Sequence, residues 1–230
     1  MTQYIISIII PVLNEAAIIQ SSLENLLSYP DVEVIVVDGK SQDDTLSIAR
    51  TAGVKTIVVS GGRSAQMNAG AKVAQADVLL FLHVDTSLPC NFIELIVQTL
   101  KQPKVIAGAF ELGIAGKDRS LRSIEALVKM RSHLLSLPYG DQAIFITKRA
   151  FIEVGGFPQI PIMEDFELVR RLKRQGKIAI APGRVITSGR RWQKLGVWRT
   201  TLINQIVIAG YYLGVSAERL NRFYRSRSKR

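Results

Sequence analysis

The residues best suited to chemistry close an apolar run: Leu79-Leu80-Phe81-Leu82 leads into His83-Val84-Asp85-Thr86. Four consecutive large apolar side chains predict a strand buried on both faces, and polar groups directly after such a strand need a partner. A metal ion is one such partner. On an extended backbone, residues two apart project to the same side, so His83 and Asp85 would converge just past the strand's carboxyl end. Open α/β sheets bind ligands at that edge. The structural alternative is that Asp85 and Thr86 cap a following helix, with His83 a hydrogen-bonded neighbour.

Other acids take equivalent positions. Glu15 follows the first apolar run and Asp38 ends the second, so with Asp85 three carboxylates fall on one edge of a parallel sheet. Asp38 is placed to accept hydrogen bonds from a base or ribose, since an ionised carboxylate only accepts. Its alternative is a turn role before Gly39. Glu164-Asp165 opens a helix, where paired acids either favour the dipole or supply a general base. Two close negative charges would raise the pKa of one of them. The first strand is followed by Pro11-Val12-Leu13-Asn14-Glu15 rather than a glycine-rich turn, and no Walker motif occurs, so phosphates would be held by other means. Mg²⁺ bound by one or two protein groups, water and diphosphate is one such means, and a His83 ligand would also suit Mn²⁺. Arg63, at the start of a helix, is a second cation for the same anion.

The elements that must position these groups alternate. Strands are predicted over residues 5–12, 33–37, 56–59 and 79–82, separated by helices over 16–28, from the caps at 41–45 to Gly53, and over 63–74. That spacing implies parallel pairing with right-handed crossovers. Further on come a helix over 91–100, a strand over 107–114, a helix over 121–135, a break at 137–140 and a strand over 143–147. A helix over 166–175, a short strand over 178–181, a basic loop over 188–194 and an apolar helix over 197–213 complete the pattern, with a disordered tail from Arg225. Arg199, Asn204 and Gln205 interrupt the apolar helix, which favours one lying on the domain or a membrane surface over a span.

At 230 residues with 47% hydrophobic content the chain suits one α/β core, predicted over residues 1–195, with an amphipathic helix and basic tail over 196–230. The single Cys90 excludes an internal disulfide and a cysteine-rich metal site. A chain that opens on a strand-like run, without a signal-peptide pattern, is expected in the cytoplasm. Its charge is uneven: residues 168–230 carry 16 Lys/Arg and one acid, and residues 1–167 carry 14 basic and 18 acidic residues. The basic end therefore points to an anionic partner. Nucleic acid is not expected, because the aromatic-and-basic signatures of RNA-binding modules are absent.

The runs Ser7-Ile8-Ile9-Ile10-Pro11-Val12-Leu13-Asn14-Glu15, Val36-Val37-Asp38-Gly39 with Ser41 and Asp44-Thr45, Phe81-Leu82-His83-Val84-Asp85, and Met163-Glu164-Asp165 together resemble the inverting family 2 glycosyltransferases of GT-A fold. The likeness spans roughly residues 5 to 200 and keeps the motif order. It implies a mainly parallel sheet with helices on both faces, and a nucleotide diphosphate sugar donor, a UDP-sugar favoured. Pro11, Asn14, Glu15 and Asp38 would lie on the nucleotide side, Asp85 would bind Mn²⁺ or Mg²⁺, and Asp165 would be the base with Glu164 beside it. His83 stands where the family often has the first Asp of its D-x-D element.

Two stretches are similar to a bacterial subgroup that includes enzymes described as glycosylating carotenoid acids. Arg63-Ser64-Ala65-Gln66-Met67-Asn68-Ala69-Gly70-Ala71 would line the donor, and Gly140-Asp141-Gln142 the acceptor. Arg190-Arg191-Trp192 is similar to part of the Q-x-x-R-W motif of processive members, which puts Arg191 and Trp192 on the donor, but Ser188 replaces the Gln and processivity does not follow. The expected reaction is sugar transfer to a hydroxyl or carboxyl acceptor, lipophilic or lipid-linked, with the enzyme peripheral on the inner face of the plasma membrane. Two alternatives stay open: a sugar nucleotidylyltransferase, whose G-G-x-G-T-R-like loop is missing here, and a non-catalytic module that docks on anionic surfaces.

Overall fold

A computed structural model describes residues 5–228, apart from the side chains of Arg119, Arg191 and Ser228. Its first half follows the predicted alternation: β1 (Ile6–Val12), α1 (Ala16–Leu27), β2 (Val32–Asp38), α2 (Thr45–Thr51), β3 (Lys55–Val58), α3 (Arg63–Val73) and β4 (Val78–Phe81). β1 pairs in parallel with β2 and β4, and β2 with β3. Alternation along β1 feeds two cores. Ile8 and Ile10 join Ile19 and Leu23 of α1 on one face, and Ile9 joins Met67 and Ala71 of α3 on the other. Gly70 lets α3 approach closely: a Cβ there would lie 2.5 Å from Ile9 Cγ2.

The second half is less regular: β5 (Thr86–Ser87), α4 (Phe92–Leu100), β6 (Val105–Ile114), α5 (Arg119–Leu135), a 3₁₀ turn at Gly140–Gln142, β7 (Ile144–Thr147), α6 (Lys148–Glu153) and α7 (Glu164–Leu172). The chain ends with β8 (Lys177–Thr187), α8 (Arg190–Leu195), α9 (Val197–Tyr212) and α10 (Ala217–Ser228). The eight-stranded order is β3-β2-β1-β4-β7-β6-β8-β5, with β7 antiparallel to both neighbours and β5 antiparallel to β8. One consequence reaches the site. Because Phe81 pairs with Ile144, the turn that precedes β7 lies beside the residues that follow β4.

Four expectations need correction. His83 to Thr86 is a turn, closed by a hydrogen bond from Thr86 N to His83 O at 3.1 Å, so the extended i,i+2 argument does not apply there. β8 runs past Pro182-Gly183 to Thr187, with the register against β6 shifting between Phe110 and Glu111. A proline that cannot donate is accommodated at such an irregularity. The basic loop contains α8, and the tail forms α10 through Ser228; Lys229 and Arg230 lie outside the described residues.

α9 carries apolar residues on more than one side. Val197, Ile203 and Val207 are buried, yet Trp198, Leu202, Ile206 and Tyr212 are exposed. No helix among the described residues is long and apolar enough to cross a membrane. Leu220 of α10 is buried with Val207, Met163 and Phe166, and Phe223 and Tyr224 pack against that cluster, which ties the last helix to the start of α7.

Candidate active site

Loops at the carboxyl ends of β1 and β4 open into a cavity of about 740 Å³ lined by Pro11, Glu15, Arg63, His83, Asp85 and Glu164, with Arg225 of α10 on its rim. A second cavity of about 420 Å³ shares Arg63, His83, Glu164 and Arg225 and adds Asp141 and Asp165. The sequence-predicted acids of β1, β4 and α7 and the predicted Arg63 thus meet in one cleft. The α3 N-terminus, Gly62 and Arg63, forms part of its wall, where unpaired backbone N–H groups favour an anion.

Charge in the cleft is arranged in pairs. Arg190 bridges Asp85 at 3.2 Å and Glu15 at 3.6 Å. Burial raises the Glu15 pKa, Arg190 opposes the rise and Asp85 adds to it. Arg63 Nη2 meets His83 Nε2, and Arg63 Nε lies 3.7 Å from Glu164. Burial first, and then the Arg63 guanidinium, hold the His83 pKa well below its ordinary value, so the ring is neutral and its Nε2 accepts from Arg63. Burial and then the Asp165 charge raise Glu164, so of the two adjacent acids Glu164 is the one pushed toward its neutral form.

Asp165 is held by two backbone donors, Gly140 N to Oδ2 and Phe166 N to Oδ1, each at 2.7 Å. A side chain at Gly140 would sit 3.1 Å from both Asp165 Oδ2 and Arg63 Nη2, which explains a glycine in the turn. Asp141 occupies the same turn. Burial dominates the rise of its pKa to about 6, with Asp165 adding to it and Arg131 opposing it. Its Oδ1 is buried without a hydrogen-bond partner among the described residues.

Several predicted site residues do other work. Asp38 is 1% exposed, and its carboxylate accepts from Lys40 N and Ser41 N, both at 2.9 Å, and from the Ser41 hydroxyl. It holds the turn and is not among the residues that line the cavity of Asp85. Asn14 lies at φ 56° and joins the loop after β1 to the loop after β2, its Oδ1 accepting from Gln42 N at 2.8 Å. Gln142 is fully buried and spends its amide on Arg131, Ser132, Tyr139 N and Phe110 O. It fixes the turn that presents Asp141 and is not free for an acceptor. Trp192 lines a groove beside α9 and not the cavity around Asp85, and the Arg191 side chain lies outside the described residues.

Sequence reasoning set Arg190 beside Arg191 on the donor without foreseeing its contact with the acids, and missed Arg225. Arg190 reaches Asp85 because β5 pairs with the end of β8, and Ser188 N bonds Asp85 O at 3.1 Å. Arg225 comes from a helix that the composition of the tail hides. Phe223 and Tyr224 are partly buried in the α9–α10 cluster.

The cleft suits a divalent cation at Asp85. Its carboxylate and that of Glu15 already converge on a cationic group, the Arg190 guanidinium, and both oxygen donors match a hard ion. His83 fits less directly, because its Nε2 is engaged by Arg63. No group of three or more His, Cys, Asp or Glu placed to hold a metal ion occurs among the described residues, so water and ligand oxygens would complete the shell.

Comparison with known proteins bears on the family and the fold. The family model "Glycosyl transferase family 2" matches residues 7–157. The chain is 38% identical over 91 residues to a PGL/p-HBAD biosynthesis glycosyltransferase of Mycobacterium bovis and to one of Mycobacterium tuberculosis; each match spans 36% of this chain and 36% of the relative. The matched part is thus about a third of those proteins' length. Among solved structures, the mannosyltransferase PcManGT of Pyrobaculum calidifontis, in complex with GDP-Man and Mn²⁺, superposes with a TM-score of 0.68 at 18% identity, over 98% of this chain and 74% of that one. TarS 1–349 of S. aureus with UDP-GlcNAc gives 0.64 at 16% identity, over 80% and 58%. At these identities the likeness establishes the fold, the GT-A arrangement.

Proposed function

The chain belongs to glycosyltransferase family 2, and from that premise we propose that it transfers a sugar from a nucleotide diphosphate sugar, UDP-sugars favoured, to a hydroxyl or carboxyl of a lipophilic acceptor by one inverting displacement. The observation that carries the reading is the pair of adjoining cavities that share Arg63, His83 and Glu164, with Asp85 lining one and Asp165 the other. In it the diphosphate lies against the α3 N-terminus, within reach of Arg63 and Arg225. Mn²⁺ or Mg²⁺, as in the PcManGT complex with Mn²⁺, would be held by Asp85 and would offset charge on the departing diphosphate.

Asp165, fixed by two backbone N–H groups, takes the proton of the acceptor as its oxygen attacks the anomeric carbon. Glu164 borders the same space, and its raised pKa reduces the negative charge facing the donor. His83, neutral and accepting from Arg63, positions that guanidinium. Membrane association is part of the proposal. Arg219, Arg222 and Arg227 are exposed on α10, and the apolar residues Trp198, Leu202 and Ile206 are exposed on α9, a combination suited to an anionic bilayer.

The donor assignment is tested by calorimetry with the Asp85→Ala variant. Mn²⁺-dependent binding of a nucleotide sugar that the native chain binds is expected to be lost while the fold persists; undiminished Mn²⁺-dependent binding by the variant would sink the assignment.

A further inference from the structure

A groove of about 520 Å³ runs between α5 and α9 and is lined largely by apolar side chains, among them Leu127, Val128, Leu135, Trp192, Ile208 and Tyr212. It is continuous with the catalytic cleft. Tyr139, Asp141, Asn204 and Ile208 line both the groove and the cavity that contains Asp165. Two charged residues border it, and their states differ. Arg131 is spent within the protein, donating to Leu137 O and Gln142 Oε1, both at 3.0 Å, with its guanidinium 3.5 Å from the Tyr139 ring centre. Asp141, at the inner end, keeps one buried oxygen without a partner among the described residues.

We propose that this groove binds the apolar body of the acceptor and that Asp141 accepts a hydrogen bond from the acceptor's hydroxyl, which brings that oxygen to Asp165; the assignment rests on the transferase reading above. The lining selects this occupant. The wall is mostly apolar; of its polar groups the Thr201 hydroxyl donates to Val197 O and Arg131 is committed, and the amides of Asn204 and Gln205 with the Tyr139 and Tyr212 hydroxyls make up the rest beside Asp141, so an amphiphile with a small polar end is what the surface matches. A second copy of the chain is disfavoured as occupant, because it would set one strongly basic segment, 16 Lys/Arg against one acid over residues 168–230, against another.

The chain has two tryptophans, and Trp198 is 70% exposed, so Trp198→Phe leaves Trp192 as the reporter inside the groove. In that background 11-bromoundecan-1-ol is expected to quench Trp192 saturably. Filling the groove with Val128→Phe should raise the half-saturating concentration about tenfold or more, with near-ultraviolet circular dichroism unchanged. Asp141→Ala should weaken the alcohol about tenfold, the scale of a hydrogen bond to a charged group, and leave 1-bromoundecane, which has no hydroxyl, unaffected. Linear, non-saturating quenching, or saturable quenching indifferent to Val128→Phe, would overturn the groove assignment; equal effects of Asp141→Ala on both probes would overturn the hydroxyl contact. Protection of Trp192 that grows with protein concentration would assign the groove to a second copy instead. Release of nucleotide diphosphate from nucleotide sugars is followed in parallel: release without saturable quenching overturns this inference alone, and saturable quenching with no release from any donor overturns the transferase reading, and with it the acceptor role, while the groove remains a site for an amphiphile.

Discussion

Asp165 and Glu164 are adjacent in sequence and differ in setting, and the difference assigns their roles. Asp165 is partly exposed to the cleft and held by Gly140 N and Phe166 N, whereas Glu164 is buried against Arg63. Asp165→Asn keeps an oxygen acceptor for only one of the two backbone N–H groups, because its NH2 donates and cannot accept, and it cannot take a proton at working pH. Transfer is therefore expected to fall about 10²- to 10⁴-fold with donor affinity retained, and Glu164→Gln to cost less. Steady-state rates beside calorimetric donor binding check this; the reverse order of effects would exchange the two roles. The acids at strand ends were legible because a buried apolar strand cannot continue into charged groups without a purpose. The turn bonds of Asp38 were less so, since a carboxylate that closes a turn and one that faces a nucleotide look alike in sequence, and only the structure shows its hydrogen bonds to Lys40 N and Ser41 N.

At the scale of elements, β1 to β4 follow directly from apolar runs and turn residues, and later elements depart from pattern where pairing decides. β8 extends through Pro182-Gly183 because β6 supplies a partner on the far side of the irregularity, and α8 forms in a stretch whose basic composition suggests a loop. The third such case is Glu167 of α7. Nearly buried, it binds Arg170 at 2.8 Å, Arg171 at 3.1 Å and the Tyr211 hydroxyl of α9 at 2.8 Å, and so fastens the helix carrying Asp165 to the C-terminal pair. Its hydrogen bond with Arg170 is the main cause that lowers its pKa from 4.5 to about 2. A carboxyl depressed in the folded state stabilises above its unfolded pKa and loses that contribution as pH falls from about 4.5 toward 2. With Arg170 and Arg171 partly exposed and screened, the contribution is on the order of 2 kcal/mol. Urea unfolding at pH 7 and pH 3 is expected to show Glu167→Gln less stable by that amount at pH 7 and by clearly less at pH 3. A gap unchanged between the two pH values would remove the ionic clamp from the account.

Across the whole molecule, the basic last quarter divides between two tasks that composition alone merges. Arg190 and Arg225 border the catalytic cleft, while Arg219, Arg222 and Arg227 remain on the exposed side of α10. With each basic group near an anionic surface contributing about 1 kcal/mol before screening, replacing those three by Gln should weaken binding to phosphatidylglycerol vesicles by roughly 10²-fold at low salt. Sedimentation with such vesicles, and with phosphatidylcholine as control, measures it; equal binding to both would remove the electrostatic attachment and leave the transferase reading intact. The central claim is that the cleft carries out one inverting displacement on a nucleotide sugar with Asp165 as base, and water can take the acceptor's place in that step. The direct test is proton NMR of the sugar first released, before mutarotation, from UDP-glucose, UDP-N-acetylglucosamine and GDP-mannose with Mn²⁺ present. The β-anomer is expected from whichever of these α-linked donors is cleaved, at a rate cut at least a hundredfold by Asp165→Asn; an α-anomer formed first, or a rate indifferent to that substitution, would contradict the account.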